Sequence, residues 1–132
     1  MKSTFLSALL DELQTKGGFS ANMTEQKVIR HGYAVSVTKD SEEKFEGVLK
    51  PLAPFAEHDT IAHAITHYVF DHLEELADRD TVNVLGAWLD DSGTLWLDVS
   101  MIVNTAEEAG RLARENNQVA YYDFQKSEVV YV

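Results

Sequence analysis

No cysteine occurs in the 132 residues, which removes disulfides, thiolate nucleophiles and sulfur-ligated zinc or iron and accords with a reducing interior. Proline is limited to Pro51 and Pro54, so strong breaks of regular structure are confined to one short stretch. Positive charge is scarce: 11 Lys and Arg face 22 Asp and Glu, for a net charge of -11. Such a surface repels nucleic acid and anionic membranes, which argues against direct nucleic-acid binding and for a basic protein partner. Long apolar runs are also missing. Phe5-Leu6-Ser7-Ala8-Leu9-Leu10 stops at Asp11 and Glu12, too short for a signal-peptide core or a membrane span. The expectation is a cytoplasmic protein with no membrane contact.

What the chain does have is a 45% hydrophobic composition, enough for the core of one domain over residues 1–132. Thr4 to Lys16 carries Phe5, Leu6, Leu9, Leu10 and Leu13 on one helical stripe and ends at Gly17-Gly18. That glycine pair follows a helix and lacks a Lys-Ser or Lys-Thr successor, so it reads as a helix stop and not as a phosphate loop. Phe19 to Arg30 shows no sustained period, while Tyr33, Val35 and Val37 alternate as a half-buried strand does. Lys39 to Lys44 reads as a charged loop, and beyond the prolines a long helix is expected from Glu57 to Ala77. Strands from Val82 to Leu89 and Thr94 to Met101 flank Asp90-Asp91-Ser92-Gly93, the clearest hairpin signal in the chain. Asn104 or Thr105 caps a further helix reaching Asn116-Asn117, followed by strands Gln118 to Gln125 and Glu128 to Val132.

This order predicts the α+β class, an antiparallel sheet with helices on one face. A split βαβ, ferredoxin-like core would then carry an added N-terminal helix and an extra C-terminal strand. Pairing Leu89 with Thr94 places Val82, Val84, Gly86 and Trp88 with Leu95, Leu97, Val99 and Met101 under the helices. The reverse face then holds Leu85, Ala87 and Leu89 opposite Trp96, Asp98 and Ser100, apolar enough to need cover. Either the N-terminal helix supplies that cover or a homodimer forms through Leu85, Leu89 and Trp96, with Asp98 at the rim or satisfied by a donor.

Four of the five histidines, His58, His63, His67 and His72, fall in or beside the long helix. Asp59, His63, His67 and Asp71 recur at four-residue spacing, which makes His63 and His67 the candidate metal ligands. Ala64 stands where a helical zinc-hydrolase motif has its glutamate, so this pair lacks the proton-transfer group of that motif. A solvated face with weak Asp-His pairs is the simpler expectation, and no cofactor is expected. Asp59, Asp71, Glu74, Glu75 and Asp78 share a polar arc free of lysine and form the candidate partner-binding surface. Late aromatics, Tyr121, Tyr122, Phe124 and Tyr131, join Trp88 and Trp96 in a set that could stack single-stranded bases. Lys126 is nearly alone among Asp123, Glu128 and Asp98, which opposes that use.

Gly32-Tyr33-Ala34-Val35-Ser36, the stretch from Trp88 to Ser100 and the segment from Asn104 to Val132 together resemble small accessory proteins of actinobacteria and their phages or mobile elements. Ala113 to Asp123 looks like the helix of that group followed by its strand ending in aspartate. The resemblance implies a phage or plasmid setting and brings no catalytic residues with it. Sequence therefore favours a non-enzymatic interaction or accessory protein that binds a basic partner. The alternatives are a DNA mimic that occludes a nucleic-acid-binding protein, and a metal-dependent or small-molecule enzyme.

Overall fold

A computed structural model describes residues 1–37, 41–47, 57–78 and 83–132, with the backbone alone for 57–59. Pro51, Pro54, Lys39, Val82 and the side chains of His58 and Asp59 lie outside the described residues. Helix α1 (Ser3–Lys16) ends where Gly17 enters the left-handed region at φ 78°, its N–H donating to the Leu13 carbonyl at 2.9 Å. Leu9 and Leu13 are buried, with Phe5, Leu6 and Leu10 packed around them. The aperiodic stretch that follows is a hairpin, β1 (Gly18–Asn22) and β2 (Lys27–Val28). Its small residues give little propensity signal, and β1 is held by pairing along β5 (Asn83–Leu89), a tertiary contact invisible to local pattern.

Strand β3 (Tyr33–Ser36) falls where alternation predicts it, and the expected charged loop also contributes β4 (Glu43–Phe45). The long helix is divided into α2 (Glu57–Asp71) and the single turn α3 (Leu73–Leu76). At the break the His72 ring stacks on Tyr68 at 4.0 Å, and its Nδ1 lies 3.0 Å from the Tyr68 carbonyl oxygen. Leu73 consequently turns outward, 54% exposed, and the buried stripe is Ile61, Ala64, Ile65, Tyr68 and Leu76. The Tyr68 hydroxyl donates to the Ser41 carbonyl while the Ser41 hydroxyl accepts from the Val99 N–H at 3.3 Å. Burial pushes the Tyr68 pKa up, so the hydroxyl stays a neutral donor that ties the segment before β4 to the core.

Strand β6 (Leu95–Val103) is followed by α4 (Ala106–Glu115), capped by Thr105, whose Oγ1 accepts from the Glu108 N–H at 3.1 Å. The chain closes with β7 (Ala120–Asp123) and β8 (Glu128–Tyr131), joined by a turn in which Asp123 Oδ1 accepts from the N–H groups of Gln125 and Lys126.

The eight strands among the described residues join one curled antiparallel sheet in the order β2-β1-β5-β6-β3-β7-β8, with β4 beside β3 along the length of β6. The protein is therefore α+β. Strands β3 and β5 run parallel with β6 inserted between them, a split βαβ arrangement. The C-terminal strand expected from sequence is β8, and further extension by β1, β2 and β4 makes the sheet larger than the sequence predicts. The helices share one face. There α1, α2 and α3 cover Phe19, Ala21, Leu85, Ala87, Leu95, Leu97 and Val99, and α4 covers Val35 and Val103.

The central hairpin register corrects the expectation by one residue. Leu89 pairs with Leu95, not Thr94. The Gly93 N–H donates to the Asp90 carbonyl at 3.1 Å, and Gly93 takes φ 83° before the Asp90 N–H meets the Thr94 carbonyl. This is a type I turn closed by a left-handed glycine bulge, a three-residue loop that opposes Asp90 to Thr94 and shifts everything beyond by one position. A one-residue slip exchanges the faces of a strand. Leu85, Ala87 and Leu89 thus pack under the helices, while Gly86 and Trp88 share the opposite face with Trp96, Asp98 and Ser100, a face on which Val84 is fully buried.

Candidate functional site

With the described helices on one side, the opposite face of the curled sheet forms a groove of about 750 Å³. Trp88, Trp96, Tyr122 and Phe124 supply its aromatic lining, and Ser20, Ser36, Ser100 and Asp98 its polar floor. Backbone pairing fixes this arrangement: Ser20 opposes Gly86, Gly86 opposes Asp98, and Ser100 opposes Ser36. Residues directly opposed in antiparallel strands project from the same face, so these side chains converge without any loop contribution.

Asp98 is the unusual group. It is half-buried, and its Oδ1 accepts from the Ser100 hydroxyl at 3.0 Å. Removal from water pushes its pKa up despite that hydrogen bond, and the negative charge of Glu42 adds to the rise. No basic side chain among the described residues pairs with it. The carboxylate fits because residue 86 has no side chain: a Cβ there would lie 2.2 Å from Asp98 Oδ1 and 3.2 Å from its Cγ. Glycine at this position makes the space that the carboxylate occupies.

The rings around it are differently held. Trp96 donates its indole N–H to Asp90 Oδ2 at 2.9 Å, and Lys44 Nζ lies 5.9 Å from the ring centroid. Asp90 Oδ1 also accepts from the Ser92 N–H, the Ser92 hydroxyl and the Thr94 N–H. Those donors, led by the Ser92 hydroxyl and the Trp96 indole, pull the Asp90 pKa down to about 2. The hairpin turn is thus also the anchor of a groove aromatic. Trp88, 54% exposed, lies against Gly18, where an added Cβ would come 3.4 Å from Trp88 Cε3. At the rim Glu12 bridges two cations, Arg30 at 2.5 Å and Lys16 at 3.2 Å, and the Arg30 hydrogen bond holds the Glu12 pKa down.

Among the described residues, three carboxylates, Glu12, Glu42 and Asp98, therefore line the groove against two cations that are both engaged with Glu12. Its serines have no histidine beside them among the described lining residues, so no hydroxyl-imidazole pair for nucleophilic catalysis is assembled here. An unpaired carboxylate among hydroxyls and indoles is suited to holding a cation by charge, hydrogen bonding and ring contact.

The other candidates lie elsewhere. Asp71, Glu74, Glu75 and Asp78 are exposed on the helical side of the molecule, and the Asp59 side chain is outside the described residues. His63 and His67 are exposed too. His67 Nε2 lies 3.3 Å from Asp71 Oδ2, and no group of three or more His, Asp or Glu that could hold a metal forms among the described residues. The proposed dimer surface is divided by the register: Leu85 is 0% exposed beneath the helices and Leu89 packs against the same core, whereas Trp96 and Asp98 face the groove. These four residues do not form one interface. Asp98 does find the donor that burial demands, in Ser100. Sequence reasoning missed Gly86, Trp88, Ser20 and Arg30 as site residues, and a turn counted with its glycine bulge would have placed Gly86 against Asp98.

No helix among the described residues is long and apolar enough to cross a membrane. Comparison with protein-family models, with curated proteins and with solved structures returns no match.

Proposed function

We propose that this chain is a non-enzymatic accessory protein that binds a basic protein partner, with the open sheet face as the docking site. The observation that carries the proposal is the one-sided layering: the described residues leave an aromatic groove of about 750 Å³ open in a chain of net charge -11. An apolar surface rimmed by charge suits recognition, and the acidic field draws a basic partner toward it. Asp71, Glu74, Glu75 and Asp78 belong to this account as long-range attraction from the far side, not as the contact surface. A phage or mobile-element setting is part of the same proposal.

Both tryptophans of the chain line the groove, so intrinsic fluorescence reports its occupancy. The test is titration with a fluorescein-labelled lysine-rich peptide, followed by label anisotropy and tryptophan emission at low and moderate salt. Saturable binding with a change in tryptophan emission, weakening at least about tenfold as salt rises, is expected. Absence of binding at low salt would overturn the proposal. Binding with no tryptophan response would remove the groove as its site.

A further inference from the structure

The geometry points to a lysine-ammonium subsite at the centre of the groove: Asp98, seated over Gly86, receives one lysine side chain of an extended partner segment lying across the sheet. This inference rests on the docking face proposed above and names its chemistry. Groove-lining residues run from Ser20 on β1 to Val129 on β8. Five strand-to-strand steps separate β1 from β8, and at about 4.8 Å each they trace about 24 Å along the curl, so the straight path across the groove takes an extended segment of up to roughly seven residues. A short peptide segment matches that reach better than a compact small molecule.

Charge selects its central residue. Asp98 is desolvated by the fold, feels the negative charge of Glu42, and pairs with no cation among the described residues. The nearby basic groups are committed, Arg30 and Lys16 to Glu12, and Lys44 to Glu46 at 3.2 Å. A ligand cation therefore supplies what the carboxylate lacks. Hydrogen bonding selects ammonium over guanidinium. Ser100 already occupies Asp98 Oδ1, which leaves Oδ2 as the freer oxygen. A compact ammonium is satisfied by one carboxylate oxygen together with a single hydroxyl oxygen from the groove floor, whereas the guanidinium fork is best matched by both oxygens of a carboxylate. The exposed indole of Trp88 offers an apolar wall to the aliphatic stem.

The test uses capped seven-residue peptides of alternating serine and valine with lysine, arginine or norleucine at the centre, read by tryptophan emission and calorimetry. The lysine peptide should bind at least about tenfold tighter than the norleucine peptide and tighter than the arginine peptide. Asp98→Asn should abolish the lysine preference by removing the charge, and Gly86→Ala should reduce it by displacing the carboxylate. Near-ultraviolet circular dichroism of each variant establishes that the fold is retained. Equal binding of lysine and norleucine peptides, a preference for arginine, or a lysine preference that survives Asp98→Asn in a folded variant would overturn the subsite. If the lysine-rich peptide still binds in a salt-dependent way with a tryptophan response, only the subsite has failed. If that peptide does not bind at all, the docking face itself has failed.

Discussion

Gly86→Ala isolates the packing on which the groove depends. Gly86 is not in the left-handed region, so alanine is admissible for the backbone, and the cost falls on Asp98. An added Cβ at 2.2 Å from Oδ1 must drive the carboxyl outward by about 1 Å to reach ordinary carbon-oxygen contact. That movement breaks the 3.0 Å hydrogen bond from Ser100, a contact to a charged group worth about 1.5–3 kcal/mol. Alanine returns about 0.4–1 kcal/mol by restricting the unfolded chain, and renewed hydration of the carboxylate offsets a further part. The net expectation is destabilisation by about 1 kcal/mol, or a fall in Tm of about 3–6 °C. The decisive assay is a double-mutant cycle by urea unfolding. With Asp98→Ala as background the clash is absent, and Gly86→Ala should be neutral or slightly stabilising, for a coupling of about 1–2 kcal/mol. Equal effects in both backgrounds would refute the placement of Asp98 over Gly86.

The corrected register predicts that Leu85→Ala loses about 2–5 kcal/mol, whereas Trp88→Ala, on the open face, loses under about 1 kcal/mol; the reverse order in urea melts would restore the register expected from sequence. Asp98→Asn should raise stability at neutral pH, because a carboxyl whose folded pKa is raised destabilises the fold wherever it is ionised. That gain should vanish below the unfolded carboxylate value of about 3.9, and a gain unchanged at low pH would disprove the desolvation account. Asp90 has the opposite sign: its folded pKa of about 2 lies below the unfolded value, so its contribution is present above about 3.9 and is lost as pH falls through about 2. The stability gap between wild type and Asp90→Ala should accordingly close on acidification, with a loss of Trp96 indole N–H protection in NMR exchange. Tyr68→Phe removes the donor to the Ser41 carbonyl and should cost about 1 kcal/mol, while a neutral result would show that water or another donor replaces it.

Where one helical or strand period ran through an element, the sequence was enough to read it. Helix α1, its Gly17 stop, strand β3, the Thr105 cap and the central hairpin all carry local signals that outweigh their surroundings. The elements that escaped are those whose stability is tertiary. Strand β1 is small-residue backbone stitched to β5, and β4 is three residues held against β6. The site escaped for a narrower reason. Asp90-Asp91-Ser92-Gly93 was legible as a turn, but whether the loop counts two, three or four residues decides which face every β5 side chain takes. Gly93 at φ 83° settles that count, and with it the separation of Leu85 from Trp96.

Gly86 and Asp98 also set the character of this face. A strand meant only to cover a core would place a β-branched residue at the centre of β5 and leave its neighbour apolar. Here the middle of the sheet has a glycine opposed to a half-buried carboxylate, with serines close by in the register. Glycine in a strand interior loses packing, and a desolvated carboxylate without a cation loses hydration, so the pair weakens the folded chain twice over. Among the described residues Ser100 is the hydrogen-bond donor to Asp98, and that one bond recovers neither loss in full. A cation delivered to the groove recovers the second directly, which is why binding strength and the stability of the unliganded chain should move in opposite directions when residue 98 is neutralised.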